Sequence, residues 1–336
     1  MKATLALCAG LMALVAATAR ADSPWPALPR QAPEPASNPG TPARVELGRM
    51  LFFDRRLSES ATVSCQTCHD LKNGGADSQR TSRGVHGQND LRNAQTVWNV
   101  GFLTSYFWDG RAATLEDQAK EHLLNPVDMG MKDLDYVAAR IRGIAGYRAY
   151  FEKAFGAGDV VTADNIAKAL AAFERTLITP DTPYDRYASG DRNAMNDQQL
   201  RGMKAFQEIG CVRCHQGPTF VGPSMSTEMS FVIRFPTNPR NPLAESYELT
   251  RDRGRFESTG KDSDRSLWRV ASLRNLRYTA PYMHNGSVPN LADAVRVMAS
   301  TELARTLSDT EAAELVAFID ALSGPLPDIA EPKLPE

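Results

Sequence analysis

The chain has 336 residues, 38 basic against 40 acidic side chains, and a formal net charge of −2. No basic stripe stands out, which argues against a nucleic-acid partner, and no apolar run reaches the ~20 residues that a membrane span needs. The length predicts about two domains.

Residues 1–21 read as a secretory leader: Lys2, an apolar run from Leu5 to Ala17, and the A-x-A site Ala19-Arg20-Ala21. Cys8 lies within the run and reads as an incidental apolar residue. Export places the protein in the periplasm and leaves four of the five cysteines in the mature chain. Residues 23–42 carry seven prolines, and a second Pro-rich stretch closes the chain. Both predict extended segments, at 22–44 and 326–336, that wrap the domains or lie loose.

Between them helical signals dominate and no convincing strand alternation appears, so the fold class is all-α with long loops. Thr41-Pro42 supplies an N-cap and first-turn proline for a helix through Leu47 and Leu51. Thr162 caps another that carries Ile166, Leu170, Phe173 and Leu177 on one face. Ser308 and Glu311 form a capping box for a helix with Leu315, Phe318, Ile319 and Leu322 inward and Gly324 as its stop. A faint repeat links 46–52 with 200–206. We place the domain boundary within 180–196, which predicts two domains at 45–185 and 186–325.

Each repeat runs toward a Cys-x-x-Cys-His motif, Cys65/Cys68/His69 and then Cys211/Cys214/His215. This is the pattern that attaches haem c, with two thiols for the porphyrin vinyl groups and a histidine for iron. With five cysteines and five histidines in the chain, one such match arises by chance only about 10⁻³ times. The cofactors are therefore two haems. The second axial position then decides function: Met or His there makes an electron carrier, and an open site reacts with small oxygen species. His86, His122, His284 and the methionines are the residues available. Leu291, Val295 and Met298 share one helical face, which points Met298 toward the core.

The order of motifs carries a resemblance over nearly the whole mature chain. Leu51-Phe52-Phe53-Asp54, Arg92-Asn93-Ala94, Phe107-Trp108-Asp109-Gly110-Arg111, Asn125-Pro126-Val127, Asp252-Arg253-Gly254-Arg255-Phe256, Ser272-Leu273-Arg274-Asn275 and Thr279-Ala280-Pro281-Tyr282-Met283-His284-Asn285-Gly286 resemble the bacterial di-haem cytochrome c peroxidases and the related MauG group. The resemblance implies two cytochrome c-like domains facing each other across a calcium ion. The haem on Cys65, Cys68 and His69 would be peroxidatic, and the one on Cys211, Cys214 and His215 would be a His/Met electron-entry centre completed by Met298. MauG-type enzymes carry tyrosine at the place of Met298. Trp108 corresponds to the tryptophan between the haems, both a core aromatic and an electron relay. Gln118 and Asp128 match the distal positions, with Asp128 replacing the usual glutamate as the acid–base group. Asn93, Thr279 and Pro281 match the calcium positions, whose oxygens suit that ion.

Many members hold a loop histidine on the resting peroxidatic iron. Counted back from Arg92-Asn93 that place falls on Val85, one before His86. If the loop absorbs the shift, His86 closes the site; if not, the iron is open at rest. His122 and His284 read as structural. The implied function is reduction of hydrogen peroxide with electrons from a small c-type cytochrome or cupredoxin. A MauG-like oxidation of a partner protein and a non-catalytic di-haem carrier are the alternatives. A homodimer is a further implication of the resemblance.

Overall fold

The structure, a computed structural model, describes residues 23–222 and 232–336. The leader at 1–21 lies outside the described residues. In chain order the helices are α1 (Pro42–Phe53), α2 (Cys65–Cys68), α3 (Leu115–Leu124), α4 (Leu134–Arg142), α5 (Tyr147–Phe155), α6 (Ala163–Glu174), α7 (Pro183–Ala188), α8 (Asp197–Ile209), α9 (Pro242–Ser246), α10 (Phe256–Thr259), α11 (Leu291–Leu303) and α12 (Asp309–Asp320). A two-stranded ribbon, β1 (Val232–Arg234) against β2 (Leu267–Arg269), sets Ile233 opposite Trp268. Three residues per strand are too few for an alternation to be legible in the sequence. Among the described residues no helix is long and apolar enough to cross a membrane.

Local chemistry sets the helix starts. Thr41 accepts from Arg44 N at 3.4 Å with Pro42 behind it, and Thr162 accepts from Asn165 N at 3.2 Å. Ser308 and Glu311 close the expected capping box. Two ends differ from expectation. Leu177 falls after α6, although it is fully buried. Gly324 does not stop α12, which ends at Asp320. The Ala321 N–H reaches back to the Ala317 and Phe318 carbonyls, so no left-handed residue is needed there.

The sequence repeat is a packing repeat. A Cβ on Gly48 would stand 1.9 Å from the Ala169 carbonyl oxygen and 2.8 Å from Phe173 Cβ; one on Gly202 would stand 1.9 Å from the Glu314 oxygen and 2.9 Å from Phe318 Cβ. Only glycine lets α1 cross α6, and α8 cross α12, at this distance. One turn further on, Phe52 meets Phe173 edge-on at 5.4 Å, and Phe206 meets Phe318 at 5.3 Å. The same joint is thus built twice, once before each haem motif.

The two Pro-rich segments are straps. Trp25 enters the second cluster, against Phe206, Phe220 and Phe318. The chain then crosses to the first half, where Asn38 binds Glu116 and the Lys168 carbonyl. The tail also crosses: Leu326, Ile329 and Leu334 pack on the first cluster, and Gly146 N donates to Glu336 O at 2.8 Å. Tyr184 and Tyr187 of α7 already belong to the second cluster. Arg274, 1 % exposed, pairs with Asp185 at 2.7 Å and ties α7 to the 272–275 segment.

Candidate active site

Each Cys-x-x-Cys-His motif forms a helical turn. His69 N donates to Cys65 O at 2.9 Å, and His215 N donates to Cys211 O at 3.0 Å. Cysteines three apart therefore share one face, with the histidine just past them. None of the four is paired in a disulfide. The histidine Nδ1 atoms face backbone carbonyls, Gly75 O at 3.3 Å for His69 and Phe220 O at 2.9 Å for His215. A carbonyl only accepts, so each Nδ1 carries the proton and each Nε2 keeps a lone pair for a metal. Burial keeps both rings neutral, lowering His69 to about 4 and His215 in the same direction.

Both motifs border one cavity of about 1100 Å³. Ordinary ligand sites occupy about 300–1,000 Å³, so this volume suits unusually large groups. Two cysteine sulfurs outside any disulfide beside a lone-pair nitrogen at each motif fit haem c attached there.

The two ends differ in what faces them. At the first, Gln118 and His122 lie one turn apart on α3 and border the cavity with Asp128. Asn125 shapes the turn below them, its Oδ1 accepting from Val127 N at 2.9 Å. Asp128 is 7 % exposed; burial, with Asp90 nearby, raises its carboxyl to about 7. His122 Nδ1 stands 3.3 Å from Asp128 Oδ2. The His122 ring lies 6.4 Å from the His69 ring, and burial lowers its basicity. At the second end Leu291, Val295 and Met298 of α11 border the cavity, as their helical spacing predicts.

His86 sits elsewhere. It is exposed, outside the cavity lining, with Nε2 2.9 Å from Glu59 Oε2. Val85 before it is 1 % exposed, and its N–H donates to Asp128 O at 3.1 Å. The loop turns Val85 inward and His86, at φ 57°, outward.

Trp108 borders the cavity and donates from Nε1 to Asn93 O at 2.8 Å. Its own carbonyl accepts from Arg269 N at 2.9 Å, so it is pinned to both halves of the chain. Asn93, Thr279 and Pro281 line the same region. The Asn93 amide donates from Nδ2 to Gln79 O, which leaves Oδ1 available as a ligand oxygen. His284 is buried, stacks on Trp268 at 4.1 Å, and is lowered to about 4 by burial.

Sequence reasoning missed three parts of this site. Arg92 joins Asp109 at 2.8 Å and Asp252 at 2.7 Å, while Arg111 also reaches Asp109 at 3.1 Å. These residues stand inside quoted motifs, yet their partnership is visible only in space. Glu174, buried on the cavity wall, is pushed up to about 8 by burial. Its place on the apolar face of α6 was a signal, a carboxylate where core residues belong. The third is the place of His122, a candidate nitrogen that reads as structural in the sequence, although its one-turn spacing from Gln118 marks the same helical face.

Comparison with known proteins identifies the family. A family model described as di-haem cytochrome c peroxidase matches residues 42–193. The chain is 40% identical over 309 residues to the cytochrome c551 peroxidase of Pseudomonas aeruginosa, covering 92% of this chain and 86% of that protein. It is 39% identical to the cytochrome c551 peroxidase of Nitrosomonas europaea, covering 90% and 86%. Among solved structures, a MauG-like protein associated with microbial copper homeostasis superposes with a TM-score of 0.75 at 26% identity, covering 88% of this chain and 93% of the other. The chain belongs to the di-haem cytochrome c peroxidase family, and it is an enzyme of that family.

Proposed function

We propose that this protein is an exported, periplasmic peroxidase that reduces hydrogen peroxide to water with electrons from a small c-type cytochrome or cupredoxin. The reaction consumes two electrons and two protons per peroxide. The observation that carries this reading is the inequality of the two ends of one cavity. Polar side chains gather near His69, with the His122 ring 6.4 Å away, Asp128 beside His122 and Gln118 one turn before it, whereas α11 lines the cavity with apolar Leu291, Val295 and Met298, Val295 in the cluster that holds Cys211. Haem c bound at each motif would supply iron able to pass single electrons and to react with peroxide.

In this reading Cys65 and Cys68 hold the first haem and Cys211 and Cys214 the second, with His69 and His215 as iron ligands. Met298 completes the second centre, since a thioether raises the potential of a site that must accept electrons. Asp128, poised near neutrality by burial, takes a proton from one peroxide oxygen and delivers it to the other. Gln118 orients the peroxide. Trp108 lies between the two ends and carries electrons across. Asn93, Thr279 and Pro281 hold a calcium ion through neutral oxygens, between haem domains at 45–185 and 186–325 in a chain that forms homodimers.

The test is steady-state oxidation of a reduced small cytochrome c by peroxide. Turnover is expected; none, even after reduction of the high-potential centre, overturns the reading. Likeness to a MauG-like protein supports a second reading, oxidation of residues in a partner protein. A methionine-to-iron charge-transfer band that vanishes in Met298→Leu argues for the peroxidase, and a tyrosinate signature argues for the alternative.

A further inference from the structure

We infer that His122, not His86, is the nitrogen that stands opposite His69 on the resting peroxidatic iron. Two imidazoles bound through Nε2 on opposite sides of one metal, at about 2.0–2.1 Å per bond, have ring centres about 6.4 Å apart. The His69 and His122 ring centres are 6.4 Å apart. A peroxide between trans rings would require a gap wider by more than an O–O bond.

The surrounding contacts agree. His69 Nδ1 is committed to Gly75 O and His122 Nδ1 faces Asp128 Oδ2 at 3.3 Å, so each ring has Nε2 left over. A carboxylate behind a ligating histidine is the usual outer-shell partner that sets its tautomer and orientation. The competing nitrogen is held away. His86 keeps 59% of its side-chain surface exposed beside Glu59, against 22% for His122. Its loop is seated at Gly84, where a Cβ would fall 1.9 Å from Val127 O, and at the buried Val85.

The inference deepens the peroxidase reading and rests on it for the identity of the metal. It assigns to α3 a gate that peroxide must displace. Because Asp128 stands behind His122, one carboxylate serves the closed site by orienting the ring and the open site by moving the proton.

The experiment is low-temperature EPR and optical spectroscopy of the fully oxidised holoprotein, for wild type, His122→Ala and His86→Ala. Wild type is expected to show the first haem low-spin with two nitrogen ligands. His122→Ala is expected to lose that signal and gain a high-spin one. Added imidazole should restore the low-spin form, and His86→Ala should leave it unchanged. An intact methionine band from the second haem shows that the variant has folded. A high-spin first haem in wild type, a low-spin signal that survives His122→Ala, or its loss in His86→Ala would each overturn the assignment. Peroxide turnover, measured separately after reduction, tests the function itself, so the two fail independently.

Discussion

Replacing Gly48 or Gly202 with alanine probes the joint on which both halves are built. In an exposed helix the change would stabilise by about 1 kcal/mol, because alanine is the better helix former. Here the new Cβ meets a backbone oxygen at 1.9 Å, and Cβ contacts below 3.0 Å essentially do not occur. The helices must therefore part by roughly 1 Å, which also loosens the Phe52–Phe173 or Phe206–Phe318 contact. Overpacking costs about 1–3 kcal/mol, and more when backbone has to move. With backbone in the way the upper end of that range applies, and set against the helix gain it leaves a net loss of about 2 kcal/mol in each variant. At about 2–4 °C per kcal/mol this is a fall of about 4–8 °C in the thermal midpoint. The assay is scanning calorimetry of the holoproteins at one scan rate. Gly143→Ala is the control, since a Cβ there meets nothing nearer than 3.4 Å. An alanine at 48 or 202 that left the midpoint unchanged or raised it would refute the close-crossing argument. A large loss in only one half would refute the equivalence of the two joints.

Arg274→Met leaves Asp185 charged and buried, and should cost about 3–5 kcal/mol in urea unfolding; a loss below about 1 kcal/mol would contradict the pairing seen at 2.7 Å. His284 is held neutral, at about 4 against an ordinary 6.5. The unfolded chain binds more protons between those values, so this contribution is complete above pH 6.5 and declines as pH falls toward 4. His284→Phe keeps a ring against Trp268. The stability of wild type relative to this variant should therefore fall by up to about 3 kcal/mol on acidification from pH 7.5 to 4.5, and a pH-independent gap would refute the assignment. Asp128→Asn should lower kcat/KM for peroxide by about 10²–10⁴-fold, the usual worth of an acid–base group. Electron entry from the donor, followed by stopped flow without peroxide, should be unaffected.

What could be read from the sequence was set within a turn or two of chain. A thiol pair followed by histidine makes a helical turn wherever it stands. Thr41, Thr162 and Ser308 cap their helices through backbone groups three residues away, and the apolar spacing of Leu291, Val295 and Met298 survives into the fold because one helix carries all three. The faint repeat before each motif was visible too, although its cause was not: Gly48 and Gly202 are explained only by the Ala169 and Glu314 carbonyls that press against them.

The rest was decided by chain segments far apart in sequence. Nothing near Trp25 says that it fills the second core, and nothing in the tail says that it returns to the first. Arg92, Asp109 and Asp252 form one network only when three loops meet. The histidines make the point most directly. His86 occupies the expected loop, but backbone pairing at Val85 turns that neighbour inward and His86 outward. His122, without a motif of its own, is carried to within 6.4 Å of the His69 ring by the face of α3 that also bears Gln118. Covalent attachment of haem is a property of five consecutive residues. What stands across from it depends on how distant helices pack.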